Sequence, residues 1–453
     1  MTMSSRFLLK GTLWTTGAYG LGLLLRVGTN VIMTRLLAPE LFGLMSIVFT
    51  LWAGVEFLTD VGIGQNIVHN KKAEDPDFYN TAWTLGVIRN AVLWLICLAA
   101  AMPMANFYHA PILAFVVPIT LIGMLINGFA SVGRPLLQKR MQVARIVAFD
   151  LTVSFISSIG HILLAYIWPT IWALVLGNLI ASITGLVGSY LLLPGIRQRF
   201  FISKQYALEI LHFGKWVFAA QAVYFLSTYF DRLYLAKVVP LEVFGIYGIA
   251  RSISELLGSL VLRLGNLVLF PYIASQSMTP RADLRAHLAP IRTKFLLLAA
   301  IGVSIFVAFA DLAIKLLYDE RYHAATWMLP VLVIGSWFSI LASVNESTLL
   351  GLGKPSYGAV ANTSKFIFLL IGLALGVKFY GLLGGVAVFA LADLMRYFPI
   401  LAGQMRERFS FGVQDMLLTL AVFLLILLWE LLRWTSGFGT SFDTLPVNVS
   451  LLF

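Results

Sequence analysis

The sequence predicts an all-α integral membrane protein: two parallel-repeat six-helix bundles, twelve core transmembrane helices, and one additional C-terminal hydrophobic helix. Three observations carry this expectation. Of 453 residues, 59% are hydrophobic and 12% charged, whereas a water-soluble domain is about 25% charged; lipid is therefore the solvent for most of the chain. Apolar runs long enough to cross about 30 Å of hydrocarbon as helix recur from end to end. Parts of the first half also return in the second, in the same order.

The apolar runs fall near 11–33, 42–65, 80–102, 111–133, 146–168, 170–192, 209–236, 243–273, 291–318, 324–350, 357–379 and 380–402, with a thirteenth at 413–433. They are continuous, which excludes a β-barrel of short alternating segments. The first is too long for a signal peptide, lacks a small-residue cleavage pattern and continues into a hairpin, so it is helix 1. The single cysteine, Cys97 in helix 3, excludes a disulfide framework and a cysteine-based metal site.

A net charge of +11 raises the question of nucleic acid, but its distribution answers to topology. With the N-terminus in the cytoplasm, eighteen Lys and Arg lie on cytoplasmic segments, among them Lys71, Lys72, Lys139, Arg140, Arg197, Arg199, Arg285 and Arg292. The opposite side carries at most five: Arg35, Lys237, Arg321, Lys378 and Arg433. This is the positive-inside bias, so the basic composition needs no nucleic-acid partner.

The repetition rests on three matches. Arg35-Leu-Leu-Ala-Pro-Glu40-Leu-Phe-Gly43 after helix 1 returns as Lys237-Val-Val-Pro-Leu-Glu242-Val-Phe-Gly245 after helix 7, an offset of 202. Phe115-Val-Val-Pro118 with Gly123 returns as Trp327-Met-Leu-Pro330 with Gly335, an offset of 212. The openings of helices 6 and 12, Trp168-Pro-Thr-Ile-Trp and Phe379-Tyr-Gly-Leu-Leu, are offset by 211. The expected domains are therefore 1–192 and 209–402, joined by a cytoplasmic linker 193–208 and followed by 403–453. Parallel repeats of this type place a substrate path between the halves. Pro118 and Pro330 bend helices 4 and 10 at equivalent places, either as static kinks or beside a cavity.

Ionisable side chains at bilayer depth cost about 2.5–3.5 kcal/mol on insertion scales, so they face protein or water. Arg263, Lys215, Glu346, Asp60 and Asp393 fall near helix ends, where snorkelling to the interface suffices. Arg26, Arg89, Arg251, Glu255 and Lys365 fall nearer the middle, and Glu56 between. Several gather on polar stripes: Tyr19, Arg26 and Asn30 on helix 1; Gln221, Thr228 and Asp231 on helix 7; Arg251, Glu255 and Ser259 on helix 8. Such stripes face a packed or hydrated interior. Arg251 and Glu255, at i,i+4, either neutralise each other or line the interior. Arg26 and Arg89 have no acid one turn away; each faces either an anionic ligand, gripped through a planar guanidinium fork, or an interhelical partner. The expected substrate-binding cations are Arg26, Arg89, Arg251 and Lys365. The expected polar lining or ion-coupling residues are Tyr19, Asn30, Glu56, Gln221, Thr228, Asp231 and Glu255.

Gly351-Leu-Gly353-Lys354-Pro355 lacks the upstream glycine and the hydroxyl residue of a phosphate loop and reads as a turn. The six histidines show no metal-ligand spacing. No metal or other cofactor is expected. A membrane glycan polymerase or ligase is the rival from another class; it needs a sizeable external loop, and every expected external loop is short. That favours a carrier.

The chain resembles the oligosaccharide flippases of bacterial polysaccharide export, in the superfamily that also holds multidrug exporters. The resemblance rests on Arg35–Gly43, on Asp231-Arg232-Leu-Tyr-Leu-Ala-Lys237 leading to Phe244-Gly-Ile-Tyr-Gly248, and on Tyr380-Gly-Leu-Leu-Gly-Gly385. It spans about residues 5–405. It implies movement of an undecaprenyl-diphosphate-linked oligosaccharide between inner-membrane leaflets by alternating access around a cationic cavity. Basic residues on helices 1 and 8, matching Arg26 and Arg251, would line that cavity. A polysaccharide polymerase and co-polymerase are implied partners, and an ion-coupled drug exporter is the alternative within the superfamily. The thirteenth segment departs from the twelve-helix pattern; it either spans, leaving 434–453 periplasmic, or re-enters.

Overall fold

The computed structural model describes residues 5–59, 63–70, 72–275 and 280–446, with few of the side chains in 5–19, 211–220 and 257–274. Fourteen α-helices carry the described residues, and no strand occurs among them. Two compact units divide the chain, Met1–Ala222 and Val223–Phe453.

In the first unit, α1 (Ser5–Leu36) packs on α7 (Val143–Ile167), which packs on α8 (Ile171–Leu192). α2 (Pro39–Phe57) and α4 (Pro76–Phe107) both pack on α5 (Leu113–Gly128). The starts of α2 and α4 follow local chemistry. Proline takes the first helical turn at Pro39 and Pro76, where no backbone donor is needed, with Glu40 and Asp77 at the positive end. Asp75 caps α4 by accepting from the Asp77 amide at 3.0 Å. Two short helices were not anticipated: α3 (Ile63–His69) and α6 (Gly133–Lys139), which pack together. α6 turns 55° away from α5.

The segment expected as a cytoplasmic linker, 193–208, is held against α4. Backbone amides of Arg199, Phe201 and Ser203 donate to Asn80 Oδ1, Thr84 Oγ1 and Thr81 Oγ1 at 2.9, 3.1 and 3.0 Å. Tyr206, in the first turn of α9 (Lys204–Val238), donates to Asp75 Oδ2 at 2.8 Å. Those side chains give the extended backbone the partners that a helix or sheet would otherwise supply. The boundary between units accordingly falls beyond it, inside α9.

The second unit comprises the remainder of α9, then α10 (Leu241–Ser275), α11 (Arg281–Leu317), α12 (Ala325–Gly351), α13 (Ser356–Arg406) and α14 (Gly412–Thr435). At 51 residues, α13 would be about 76 Å long if straight, more than twice a bilayer core. It is two helices folded at Tyr380-Gly381. Gly381 has φ +57°, ψ −147°, a region essentially closed to side chains. The two arms lie against each other: Val388 closes on Gly372, and a Cβ on Gly384 would strike the Gly376 carbonyl. Expected helices 11 and 12 are these arms.

Local packing repeats between the units. A proline stands inside α5 at Pro118 and inside α12 at Pro330. Gly123 of α5 lets Ser182 of α8 approach, and Gly335 of α12 lets Ala390 of α13 approach. Gly177 admits His161 across the α7–α8 hairpin, as Gly384 admits Gly376 across α13.

The thirteenth hydrophobic segment is one uninterrupted helix, α14, laid parallel to α11. Asp415 pairs with Arg292 near one end, and Arg433 with Asp311 at 2.8 Å near the other. Eighteen residues of helix between those pairs cover about 27 Å, close to the hydrocarbon thickness. Arg292, expected on a cytoplasmic segment, is fully buried. Its guanidinium also donates to Gln414 Oε1 at 2.6 Å and Asn345 Oδ1 at 3.1 Å, while Asn345 and Tyr397 donate to Asp415 Oδ2 at 2.8 and 2.9 Å.

By length and apolar composition eight described helices suffice to cross a membrane, or nine with the bent α5–α6 pair, and folded α13 counts once among them.

Candidate functional site

In the second unit, α9, α10, α12 and α13 bring eight ionisable side chains of the described residues into a chain of contacts. It begins at Asp231 of α9, 0% exposed. Tyr247, one helix on, donates to Asp231 Oδ2 at 2.5 Å, and Arg251 Nε stands 3.4 Å from the same oxygen. Arg251 turns its other arm to Glu255, NH1 to Oε1 at 2.8 Å. A second guanidinium reaches Glu255 from α9: Arg232 NH2 lies 3.2 and 3.1 Å from Oε1 and Oε2.

The Phe389 ring of α13 carries the chain onward. Arg251 sits 4.0 Å from its centroid and Lys365 Nζ 5.7 Å, both within cation–π range. Across the α13 hairpin Lys365 donates to Asp393 Oδ2 at 2.9 Å. Arg396 joins Asp393 at 3.5 Å and pairs with Glu346 of α12. Four cations, Arg232, Arg251, Lys365 and Arg396, thus meet four carboxylates, Asp231, Glu255, Asp393 and Glu346. The set is formally neutral. Neutrality has a physical cause: an unpaired charge in low dielectric costs far more than a matched pair. Within the set exposure differs sharply. The Asp231 side chain is 0% exposed and that of Arg251 8%, against 37% for Glu255.

Arg89 is spent on helix capping: Nε donates to Thr59 O at 2.7 Å, and NH2 donates to Glu56 O and Thr59 Oγ1 at 2.9 Å each. A cation there satisfies the orphan carbonyls and the negative end of α2. The Glu56 side chain is exposed. Arg26 is exposed on α1 and makes no ion pair among the described residues. Asn30, Gln221 and Thr228 are half-buried. The Tyr19 side chain lies outside the described residues, as do Asp60 and the side chains of Lys215 and Arg263.

Sequence reasoning overlooked Arg232 and Arg396, and set Asp393 and Glu346 at helix ends with their charges in the interface. The structure brings all four inside. One signal was available: Asp393 and Arg396 stand at i,i+3, the spacing of facing helical neighbours. Glu346 and Arg396 meet only because α12 packs on α13, which no periodicity encodes.

Eight described helices long and apolar enough to cross a membrane, with no strand among the described residues, define a multi-pass membrane protein. The chain belongs to the polysaccharide biosynthesis protein family, whose profile matches residues 32–326. It is 21% identical to the lipopolysaccharide biosynthesis protein WzxC of Escherichia coli (strain K12), over 88% of this chain and 82% of that protein. It is likewise 21% identical to a putative O-antigen transporter of Shigella flexneri, over 83% and 93%. Among solved structures, the lipid II flippase MurJ in an inward closed conformation matches with a TM-score of 0.71, 13% identity and 92% of both chains. An inward-facing multidrug transporter of the MATE family matches at 0.63, 14% identity, over 85% and 94%. These likenesses establish the fold.

Proposed function

We propose that this protein is a flippase that carries an undecaprenyl-diphosphate-linked oligosaccharide from the cytoplasmic to the periplasmic leaflet of the inner membrane. In this reading its N-terminus is cytoplasmic and its product supplies cell-surface or exopolysaccharide synthesis. It is a transporter rather than an enzyme, as the name of the putative O-antigen transporter of Shigella flexneri implies for that relative. The observation that carries the proposal is the convergence of Arg232 and Arg251 on one half-exposed carboxylate position at membrane depth. Two guanidinium groups aimed at one point suit a diphosphate, whose oxygens accept paired hydrogen bonds. Access to the bound head would alternate between the two leaflets, with an ion gradient or membrane potential as drive, and a polymerase and co-polymerase would take the delivered unit.

The test is deletion of the gene in its own cell, with lipid-linked oligosaccharide and surface glycan measured together. Surface glycan should fall while lipid-linked units accumulate on the cytoplasmic face. Unchanged glycan in the deletion strain overturns the proposal.

A second reading, an ion-coupled multidrug exporter, is favoured by one contrast. Glu56 and Glu255 are more open than Arg89 and Arg251, and open carboxylates suit cationic drugs. Raised drug susceptibility with intact glycan in the same strain selects it.

A further inference from the structure

Arg251 has two carboxylate partners of opposite character. Asp231 is fully buried, tied by the Tyr247 hydroxyl at 2.5 Å, and approaches Arg251 Nε at 3.4 Å. It has nowhere to go, and it fixes the side of Arg251 that faces the packed helices. Glu255 stands on the other side, 37% exposed, on a flexible two-carbon stem. It meets Arg251 at 2.8 Å and Arg232 at 3.1 and 3.2 Å. Both guanidinium groups therefore spend donors on one side chain that solvent can reach.

Charge completes the argument. Arg232, Arg251 and Asp231 sum to +1, and Glu255 brings the group to zero. With Glu255 in place, an incoming anion meets a neutral and occupied site. With Glu255 swung out, the same anion meets two converging guanidinium forks and a net positive charge.

Resting on the flippase reading, we infer that Glu255 is a resident stand-in for the substrate's diphosphate. It occupies the anion position between Arg232 and Arg251 when the site is empty and is displaced when the diphosphate arrives. This gives Glu255 two effects. It spares the empty protein an uncompensated charge at membrane depth, which would otherwise be costly. It also weakens diphosphate binding, because the ligand must compete with a covalently tethered carboxylate at high effective concentration. A carrier gains from such competition: the returning carboxylate helps expel the head on the far side, so the site does not become a trap. Neutral ligands cannot displace it, so the exchange also selects for anions.

The test is equilibrium binding of undecaprenyl diphosphate to purified full-length protein in detergent. The variants are Glu255→Gln, Glu255→Asp, Arg251→Ala and Arg232→Ala, each checked for monodispersity and thermal unfolding. Glu255→Gln keeps the shape and removes the charge, so it should bind the lipid about tenfold more tightly. Glu255→Asp shortens the stem, keeps the charge and loosens the bridge, giving a smaller gain and a fallback should the glutamine variant not fold. Arg251→Ala and Arg232→Ala should bind more weakly. If both arginine variants lose affinity while both Glu255 variants bind as wild type or more weakly, the stand-in role fails and the diphosphate site survives. If the arginine variants bind normally, the flippase reading of this cluster fails and the stand-in role with it.

Discussion

Arg89 and Arg292 each tie one helix to its neighbours through several hydrogen bonds. Each reads from the sequence as an available cation, one at membrane depth and one on a cytoplasmic segment, yet each is consumed by a neighbouring helix. Arg89→Ala removes three hydrogen bonds from the end of α2, and bonds to charged groups contribute about 1.5–3 kcal/mol each. The expected outcome is less folded protein in the membrane and a lower unfolding temperature in detergent, with the residual protein binding undecaprenyl diphosphate as wild type does. Asp415→Ala is the more severe change. It strands fully buried Arg292 and deprives Asn345 and Tyr397 of an acceptor, a loss of about 3–5 kcal/mol. Thermal unfolding monitored by size-exclusion chromatography measures it, and a variant as stable as wild type refutes the account.

Two elements earn their position from tertiary partners rather than their own pattern. α14 is bound to α11 by one ion pair near each end, so ending the chain at Phe411 leaves Arg292 and Asp311 buried without those partners. Truncated protein should accumulate poorly. Adding Arg292→Met and Asp311→Asn to the truncated chain should restore part of it, because the stranded charges, more than lost apolar contact, cause the defect. Equal accumulation with and without those substitutions counts against this. The strap at 197–203 depends on Asn80, Thr81 and Thr84, and ends at the Tyr206–Asp75 bond. That bond, with Asp77 and Glu209 nearby, raises the Tyr206 phenol above its ordinary value. The neutral phenol is thus favoured in the folded state. Its contribution is complete below pH about 10 and is lost as pH rises through the raised folded value. Alkaline pH should speed hydrogen exchange in 197–208, and Tyr206→Phe should already exchange faster at neutral pH and lose the alkaline dependence.

For the whole molecule, the parallel course of α11 and α14 makes a prediction about sidedness. Reporters inserted at the turn Glu320–Tyr322 and fused after Thr435 should report one compartment, and a reporter at Arg408 the other. With the N-terminus cytoplasmic, the first pair reports the periplasm. A phosphatase fusion, active only outside the cytoplasm, reads this directly; opposite results at Glu320 and Thr435 would refute a spanning α14.

What the sequence by itself determined was set by solvent and by short-range geometry. Composition and run length dictated membrane helices, since lipid offers the backbone no partner and demands apolar surface. Pro118 and Pro330 are local features and were readable for the same reason. Individual charges at membrane depth were readable as costly, and Arg251, Glu255, Lys365 and Asp231 do fall in one cluster. What only the tertiary structure decided was pairing. Lys365 meets Asp393 across a hairpin, Arg396 meets Glu346 between helices, and Arg292 meets Asp415 more than a hundred residues away. A single helix's periodicity tells which face a charge occupies and nothing of what stands opposite. Because buried charge is tolerable only when matched, the partner, not the residue, decides whether a cation is a binding group, a cap or a clamp.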